Sequence, residues 1–222
     1  IFTIRHFEKT VAPLSTRSIF LEDLPLKRKA FMKLLSGPPK PPVVDPEDVA
    51  VILYTSGTTA KPKGVQLTYR NLMSDCEGAI AALGESLSGD NRFLNVLPPF
   101  HVFGLTACVL LPVLLKATVF ALPRFHPIDA VKTIAAKGVT LMIAIPSMYT
   151  AMLKMKSAHR EMFRSVRVAM SGGEPLPESV ARAFDERFGG KLHQGYGLTE
   201  TSPVISVCTP ARCKDGTVGR AL

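Results

Sequence analysis

Tyr54-Thr55-Ser56-Gly57-Thr58-Thr59-Ala60-Lys61-Pro62-Lys63-Gly64 is the stretch around which this sequence organises itself. An apolar run, Val49-Ala50-Val51-Ile52-Leu53, leads into it and reads as a buried strand. Leu67 to Leu72 follows and reads as the start of a helix, with Thr68 as its N-cap. The segment is therefore expected to be a strand-to-loop-to-helix turn. Small residues let backbone N–H groups come close to a ligand. Serine and threonine hydroxyls add donors, and Lys61 and Lys63 add positive charge on either side of Pro62. Those parts suit a polyphosphate. A plain loop, rich in Ser, Thr and Gly because such residues tolerate turns, fits the same residues, and both readings stay open at this point. A Walker-type P-loop is excluded, because that motif needs G-x-x-x-x-G-K-[ST] and here Val65 follows Gly64.

Outward from this stretch, strand and helix patterns alternate. Phe93–Leu97, Thr118–Leu122, Val139–Ile145 and Val166–Met170 are expected strands. Leu72, Cys76, Ala79, Ile80 and Leu83 fall on one helical face, and Ile128, Val131, Ile134 and Ala135 on another that Gly138 closes. Ser147 is expected to cap a helix carrying Met148, Met152 and Met155. Pro177 is expected as the first residue of a helix ending at Phe188, before Gly189-Gly190. The alternation predicts a layered α/β fold with a largely parallel sheet. Ligands of such sheets bind at the carboxyl ends of the strands, so the loops there are expected to share one crevice. Nearer the start, Arg17–Leu24 suggests a strand running into a turn, and Gly37–Pro42 a Pro-rich linker. The expected organisation is a segment 1–44 leading to that linker, a core 45–210, and the start of a following subdomain at 211–222.

The 222 residues, 46% hydrophobic and 20% charged, exclude a disordered chain and allow one sizeable core or two small lobes. Ile1 is not an initiating methionine, no signal-peptide pattern is visible, and the last residues form no closing element, so the sequence reads as a piece of a longer protein. A formal charge of +9 is compatible with nucleic acid, an anionic membrane or phosphate-rich substrates. The cations are dispersed, without a basic block interleaved with aromatics, so no nucleic-acid partner is expected. Cys76, Cys108, Cys208 and Cys213 contain no C-x-x-C pair, and the histidines have no metal spacing. Cys76 and Cys108 lie in apolar runs and are expected core residues. A reducing, cytoplasmic compartment follows. Leu105–Leu115 is too short to span a bilayer, so no transmembrane helix is expected, while peripheral association with the cytoplasmic side of the inner membrane stays open.

Gly195-Tyr196-Gly197-Leu198-Thr199-Glu200 sets an aromatic between glycines, then a hydroxyl and a carboxylate. Tyr196 could stack on a purine, Thr199 bond a phosphate oxygen, and Glu200 hold Mg²⁺, a hard cation that takes oxygen ligands. A glycine-rich turn with a core tyrosine fits equally.

Four segments, in order, resemble signatures of the adenylate-forming superfamily: acyl-CoA synthetases, luciferases and peptide-synthetase adenylation domains. Tyr54–Gly64 is similar to [YF]-T-S-G-[ST]-T-G-x-P-K-G, departing at Ala60, where glycine is usual. Gly195–Glu200 matches G-Y-G-x-T-E. Ser171-Gly172-Gly173-Glu174-Pro175-Leu176 resembles S-G-G-A-P-L, with Glu174 for alanine. Pro99–Gly104 resembles P-x-F-H-x-x-G, and Gly216–Arg220 also looks familial.

The resemblance implies ATP contacts from Thr55, Ser56, Gly57, Thr58, Thr59 and Lys63, and from Gly173, Glu174, Pro175, Gln194, Gly195, Tyr196, Gly197 and Thr199. It implies Mg²⁺ on Glu200 and a carboxylate pocket bordered by His101, Val102, Gly172 and Gly173, with His101 as gate. A hydrogen-bonded structural histidine is the alternative at position 101. Lys61, Lys63, Thr199, Glu200 and His101 form the implied catalytic set.

The implied fold is part of the large N-terminal domain of such an enzyme, with the C-terminal domain and its lysine lying outside this chain. The implied reaction is ATP-dependent activation of a carboxylic acid, then transfer to a thiol, CoA or acyl-carrier protein; this piece alone is expected to be inactive. Phe100–Thr106 and Ser202–Val207 resemble bacterial fatty-acid ligases. Ile1–Thr3 and Phe20–Leu24 are similar to the ligase half of bacterial acyltransferase/acyl-ACP synthetase proteins. A fatty acid is therefore the expected substrate. An aryl- or amino-acid-adenylating domain, and a nucleotide-binding module without turnover, are the rivals.

Overall fold

A computed structural model describes residues 42–55, 61–87 and 89–222, with 2–3, 9, 12, 19–20 and 23 in the first segment. The chain divides into two compact units, Ile1–Val44 and Asp45–Leu222. In the first, strand β1 (Phe2–Thr3) pairs in parallel with β2 (Ile19–Phe20), inside the stretch expected to form a strand. Most of the Pro-rich linker, and residues 56–60 of the suspected phosphate loop, lie outside the described residues.

The second unit begins with a hairpin. Strand β3 (Val49–Thr55) pairs antiparallel with β4 (Lys63–Thr68), with Thr55 opposite Lys63 and Leu53 opposite Val65. This corrects two expectations. The suspected loop joins two strands of a separate ribbon, so the order is strand, loop, strand, helix. Nor is β3 buried: with a single neighbour, it leaves Ile52 50% and Tyr54 76% exposed. Helix α1 (Tyr69–Leu83) then starts where expected. Thr68 Oγ1 accepts the Asn71 N–H at 3.2 Å, and Asn71 Oδ1 accepts the Thr68 N–H at 3.0 Å, a reciprocal cap.

The main sheet uses β5 (Arg92–Asn95), β6 (Thr118–Ala121), β7 (Leu141–Ala144), β8 (Val168–Ser171), β9 (Leu192–Gly197), β10 (Val204–Val207) and β11 (Arg220–Ala221). Their order is β11-β10-β9-β8-β7-β5-β6, with β6, β5, β7, β8 and β9 parallel and β10 and β11 antiparallel at one edge. The largely parallel α/β fold is as the alternation implied. Every residue of β7 and β8 is buried, as befits strands covered on both faces.

Those faces are covered by helices. On one, Leu94, Met142 and Ala169 pack with Ile134, Tyr149 and Phe184, from α4 (Pro127–Lys137), α5 (Pro146–Leu153) and α6 (Glu178–Phe188). On the other, Phe93, Leu141, Val168 and Met170 pack against Cys76 and Leu83 of α1. They also meet Cys108 and Leu111 of a helical run made of α2 (Val102–Leu105), a π-turn Thr106–Leu110 and α3 (Leu111–Leu114). Neighbouring residues of one strand thus point to opposite layers. Cys76 and Cys108 are core residues, as expected.

Helix ends follow from local chemistry. Gly138 closes α4 at φ 60°, where a side chain would be strained. Two caps differ from expectation by a residue or two. Ile145, not Ser147, is the N-cap of α5, because Pro146 occupies the first turn, where its missing N–H is no loss. Pro177 is the cap of α6 rather than its first residue, at ψ 134°. Among the described residues, no helix is long and apolar enough to cross a membrane.

Candidate active site

The strand order reverses around β5, since β6 and β7 lie on its two sides, and crevices form at the carboxyl ends of strands at such a point. A cavity of about 550 Å³ opens there. It receives the ends of the β3–β4 ribbon, the loop after β5, the loop after β8, and the end of β9.

Thr55, Lys63, His101, Val102, Gly172, Gly173, Gly195, Tyr196, Gly197, Thr199 and Glu200 all line this cavity. Lys61, Glu174, Pro175 and Gln194 do not, and Ser56, Gly57, Thr58 and Thr59 fall outside the described residues. Among the uncommitted lining groups are the side chains of Thr199, Glu200 and Lys63, which have no hydrogen-bond or ion-pair partner among the described residues. Tyr196 leaves its ring exposed at the rim.

His101 has a structural task as well as a place on the wall. It is the N-cap of α2, and its Nδ1 accepts the Phe103 N–H at 3.2 Å, which leaves the proton of the neutral ring on Nε2. Phe103 in turn closes over Gly172: a Cβ there would meet the ring at 2.9 Å. Gly197 is equally constrained, since a side chain would run into the Pro203 carbonyl across the β9–β10 rung. These small residues let the chain fold tightly around the cavity's polar mouth.

The interior wall is apolar and was not identified from sequence as a site. Cys76, Ala79 and Leu83 of α1 face Ala107, Leu111 and Val207. The arc of α1 from Asp75 to Leu83 runs about 12 Å at 1.5 Å rise per residue. Ala79 and Leu83 belong to the face expected to be core; the cavity borrows it. Asp75 is the charged residue on this wall. It is 8% exposed, its Oδ1 accepts the Val204 N–H at 2.8 Å, and its Oδ2 is buried with no partner. Burial pushes its carboxyl up to about 7, against the opposing pull of the Val204 N–H. Its spacing from Leu72 and Ala79 was the available signal, because i+3 and i+4 steps put it on the buried arc. Burial, with the charges of Asp75 and Glu77 adding, pushes the Cys76 thiol up to about 12.

Among the described residues, no set of three or more His, Cys, Asp or Glu side chains converges as a metal cage. Glu200 is a single carboxylate on the cavity wall with no side-chain partner among the described residues, a hard oxygen donor of the kind Mg²⁺ takes when water and phosphate supply its other ligands.

A family profile described as AMP-binding enzyme matches residues 6–222. The long-chain-fatty-acid–CoA ligase of Bacillus subtilis is 38% identical over 164 residues, covering 73% of this chain and 29% of that protein. The 4-coumarate–CoA ligase 2 of Petroselinum crispum is 30% identical over 219 residues, covering 90% of this chain and 39% of that protein. The o-succinylbenzoate coenzyme A synthetase of Bacillus subtilis, solved in complex with ATP and magnesium ion, is 29% identical with a TM-score of 0.79, covering 100% of this chain and 44% of that one. Apo MatB from Rhodopseudomonas palustris has a TM-score of 0.83 at 23% identity, covering 100% of this chain and 44% of that one, a likeness of fold alone. The chain thus spans 29% to 39% of the length of these two curated relatives. It belongs to the AMP-binding enzymes, the adenylate-forming superfamily.

Proposed function

We propose that the whole protein activates a carboxylic acid with ATP and passes the acyl group to coenzyme A. One observation carries this reading: uncommitted phosphate-type groups and an aliphatic wall share one cavity. The acid's carboxylate oxygen attacks the α-phosphorus, the bond to pyrophosphate breaks, and an acyl-adenylate forms. A thiolate then attacks the acyl carbonyl and AMP leaves. On this reading Tyr196 stacks on adenine, with Gly173, Glu174, Pro175, Gln194, Gly195 and Gly197 bordering the nucleotide. Thr199 holds an α-phosphate oxygen. Lys61, Lys63 and the hydroxyls of Thr55, Ser56, Thr58 and Thr59 offset phosphate charge. Mg²⁺ held by Glu200 would supply further charge neutralisation. His101, Val102, Gly172 and Gly173 border the acid.

The acid is a fatty acid. Its support is the aliphatic lining beyond Asp75 and the 38% identity to a ligase named for long-chain fatty acids. A planar aromatic acid is the second reading, favoured by the 4-coumarate ligase relatives. An acyl-carrier protein is the alternative thiol acceptor. The test is pyrophosphate release by the full-length protein with ATP, Mg²⁺ and a panel of alkyl and cinnamic acids. Release that rises with fatty acids, and thioester formed with coenzyme A, is the expected result. Release independent of any acid overturns the activity, and preference for the cinnamic acid overturns the substrate.

A further inference from the structure

Thr199 and Glu200 make no side-chain bonds of their own among the described residues, so their placement depends on the backbone beneath them. That backbone is a tight turn. The Leu198 N–H donates to the Pro203 carbonyl at 3.0 Å and to Thr201 Oγ1 at 3.0 Å. Ser202, which ends the 3₁₀ turn Thr199–Thr201, sits at φ 78°. A side chain there is strained, so the surrounding structure must hold the turn in place.

Two buried side chains from other elements reach it. Thr106, 2% exposed at the start of the π-turn, donates its hydroxyl to the Ser202 carbonyl at 2.9 Å. Asp75 of α1 accepts the Val204 N–H at 2.8 Å. The bonds grip the turn on either side of Pro203 and come from residues 96 and 129 positions away. Asp75 is kept although its second oxygen is buried without a partner, an arrangement that an apolar residue would avoid.

The geometry points to Thr106 and Asp75 as positioning residues, which fix Thr199 and Glu200 at the cavity mouth through the Ser202 and Val204 backbone. The inference rests on the reading of Thr199 and Glu200 as the ATP-side groups. Thr106 shares its helical run with Val102 and Phe103 on the acid side, so one hydrogen bond also joins the two halves of the site.

Thr106→Val keeps the shape and removes the bond. In the full-length protein it should lower kcat for acid-dependent pyrophosphate release about ten-fold while leaving the KM for ATP within about two-fold. Thr106→Ser, which restores the hydroxyl, should rescue most of that loss. Asp75→Leu should reproduce the loss, and Asp75→Asn, which keeps an acceptor for Val204, should rescue it. In the full-length protein, Thr106→Val should also speed amide exchange at Leu198, Thr201 and Ser202 about ten-fold, with β7 and β8 unchanged. Wild-type kcat and wild-type exchange in Thr106→Val overturn the inference, as does faster exchange spread evenly over the sheet. Glu200→Gln separates the two levels: a fully active Glu200→Gln removes the reading underneath, whereas an inactive one beside a fully active Thr106→Val removes the positioning role alone.

Discussion

The sheet carries a cavity at each end of its strands, and the two are chemically unlike. The one at the carboxyl ends is described above. The one at the amino ends, of about 420 Å³, is lined by Arg160, Arg164, Arg167, Lys191 and His193, with Phe163 and Phe184 beneath. By charge alone the amino end is the better anion site. Yet Arg167 donates to the Asp90 carbonyl at 3.3 Å and to Asn91 Oδ1 at 3.0 Å. Beside it, Arg187 donates to the carbonyls of Leu153, Met155 and Ala158. Arg160 packs its guanidinium where a side chain on Gly189 would stand, at the end of α6. Arg167 and Arg187 thus serve the protein's own structure, whereas Arg160, Arg164 and Lys191, like Lys63, Thr199 and Glu200 at the other end, have no side-chain hydrogen bond or ion pair among the described residues. What sets the carboxyl-end cavity apart is variety rather than amount of charge: a cation, a hydroxyl and a carboxylate stand free beside an apolar wall, while the free groups named at the other end are all cations.

The contrast is broken most directly at Glu200. Glu200→Ala in the full-length protein should cut acid-dependent pyrophosphate release by about 100-fold or more. The thermal midpoint should hold, because the exposed carboxylate has no partner to lose. Near-normal release would return Glu200 to the plain surface. Arg187→Met tests the other end and should do the reverse. Urea unfolding of this chain should show a loss of about 2 kcal/mol, since a charged donor to several carbonyls is removed. An unchanged midpoint would mean that those bonds hold nothing together.

His101→Ala should have a smaller effect, confined to the acid side. The acid KM should rise several-fold and the ATP KM stay within about two-fold. A mutant that only melts earlier would leave His101 as the cap of α2 and nothing more.

The last effect is on stability against pH, where the two ends should slope in opposite directions. His193 is buried, and burial, then the charge of Lys191, holds its pKa below the usual histidine value. The unfolded chain takes up that proton first, so the stability His193 contributes is present above its unfolded pKa of about 6.5 and lost as pH falls through the folded one. Asp75 runs the other way. Its carboxyl is raised from 3.8 to about 7, so its contribution is full below 3.8 and lost as pH rises through about 7. Urea titrations at several pH values should show the acid loss vanish in His193→Gln and the loss toward neutral pH vanish in Asp75→Asn. Identical slopes in either variant and the parent would refute that half.

The sheet and its helices were legible because their signals are local. The apolar runs around Leu141 and Val168, the cap at Thr68 and the stop at Gly138 each identify themselves within a few residues. Several site residues were legible for another reason: backbone that must pass close to its surroundings requires glycine, as at Gly172 and Gly197, and leaves a motif. The hairpin was misread because Leu67–Leu72 also fits a helix start, and what decides is the pairing of Leu53 with Val65 and Thr55 with Lys63 across the loop. The alternation of Val65 and Leu67 with Gly64, Gln66 and Thr68 was the available sign of β4. Thr106 left no sign at all. Its partner lies 96 residues on, and a single hydroxyl in an apolar run looks like an ordinary core threonine.

Cys76 has a chemical consequence for the proposed reaction. An acyl-adenylate is a mixed anhydride, and any nearby thiolate would capture its acyl group and end the enzyme's working life. With burial pushing the thiol up to about 12, the sulfur stays protonated at neutral pH, and the thiol is a far weaker nucleophile than the thiolate. The sulfur can therefore line the wall as a small, polarisable hydrophobe, and on the proposed reaction an acyl-adenylate beside it would survive until an outside thiol took the acyl group. On that reaction, burial that looks like mere packing would keep the protein from becoming its own substrate.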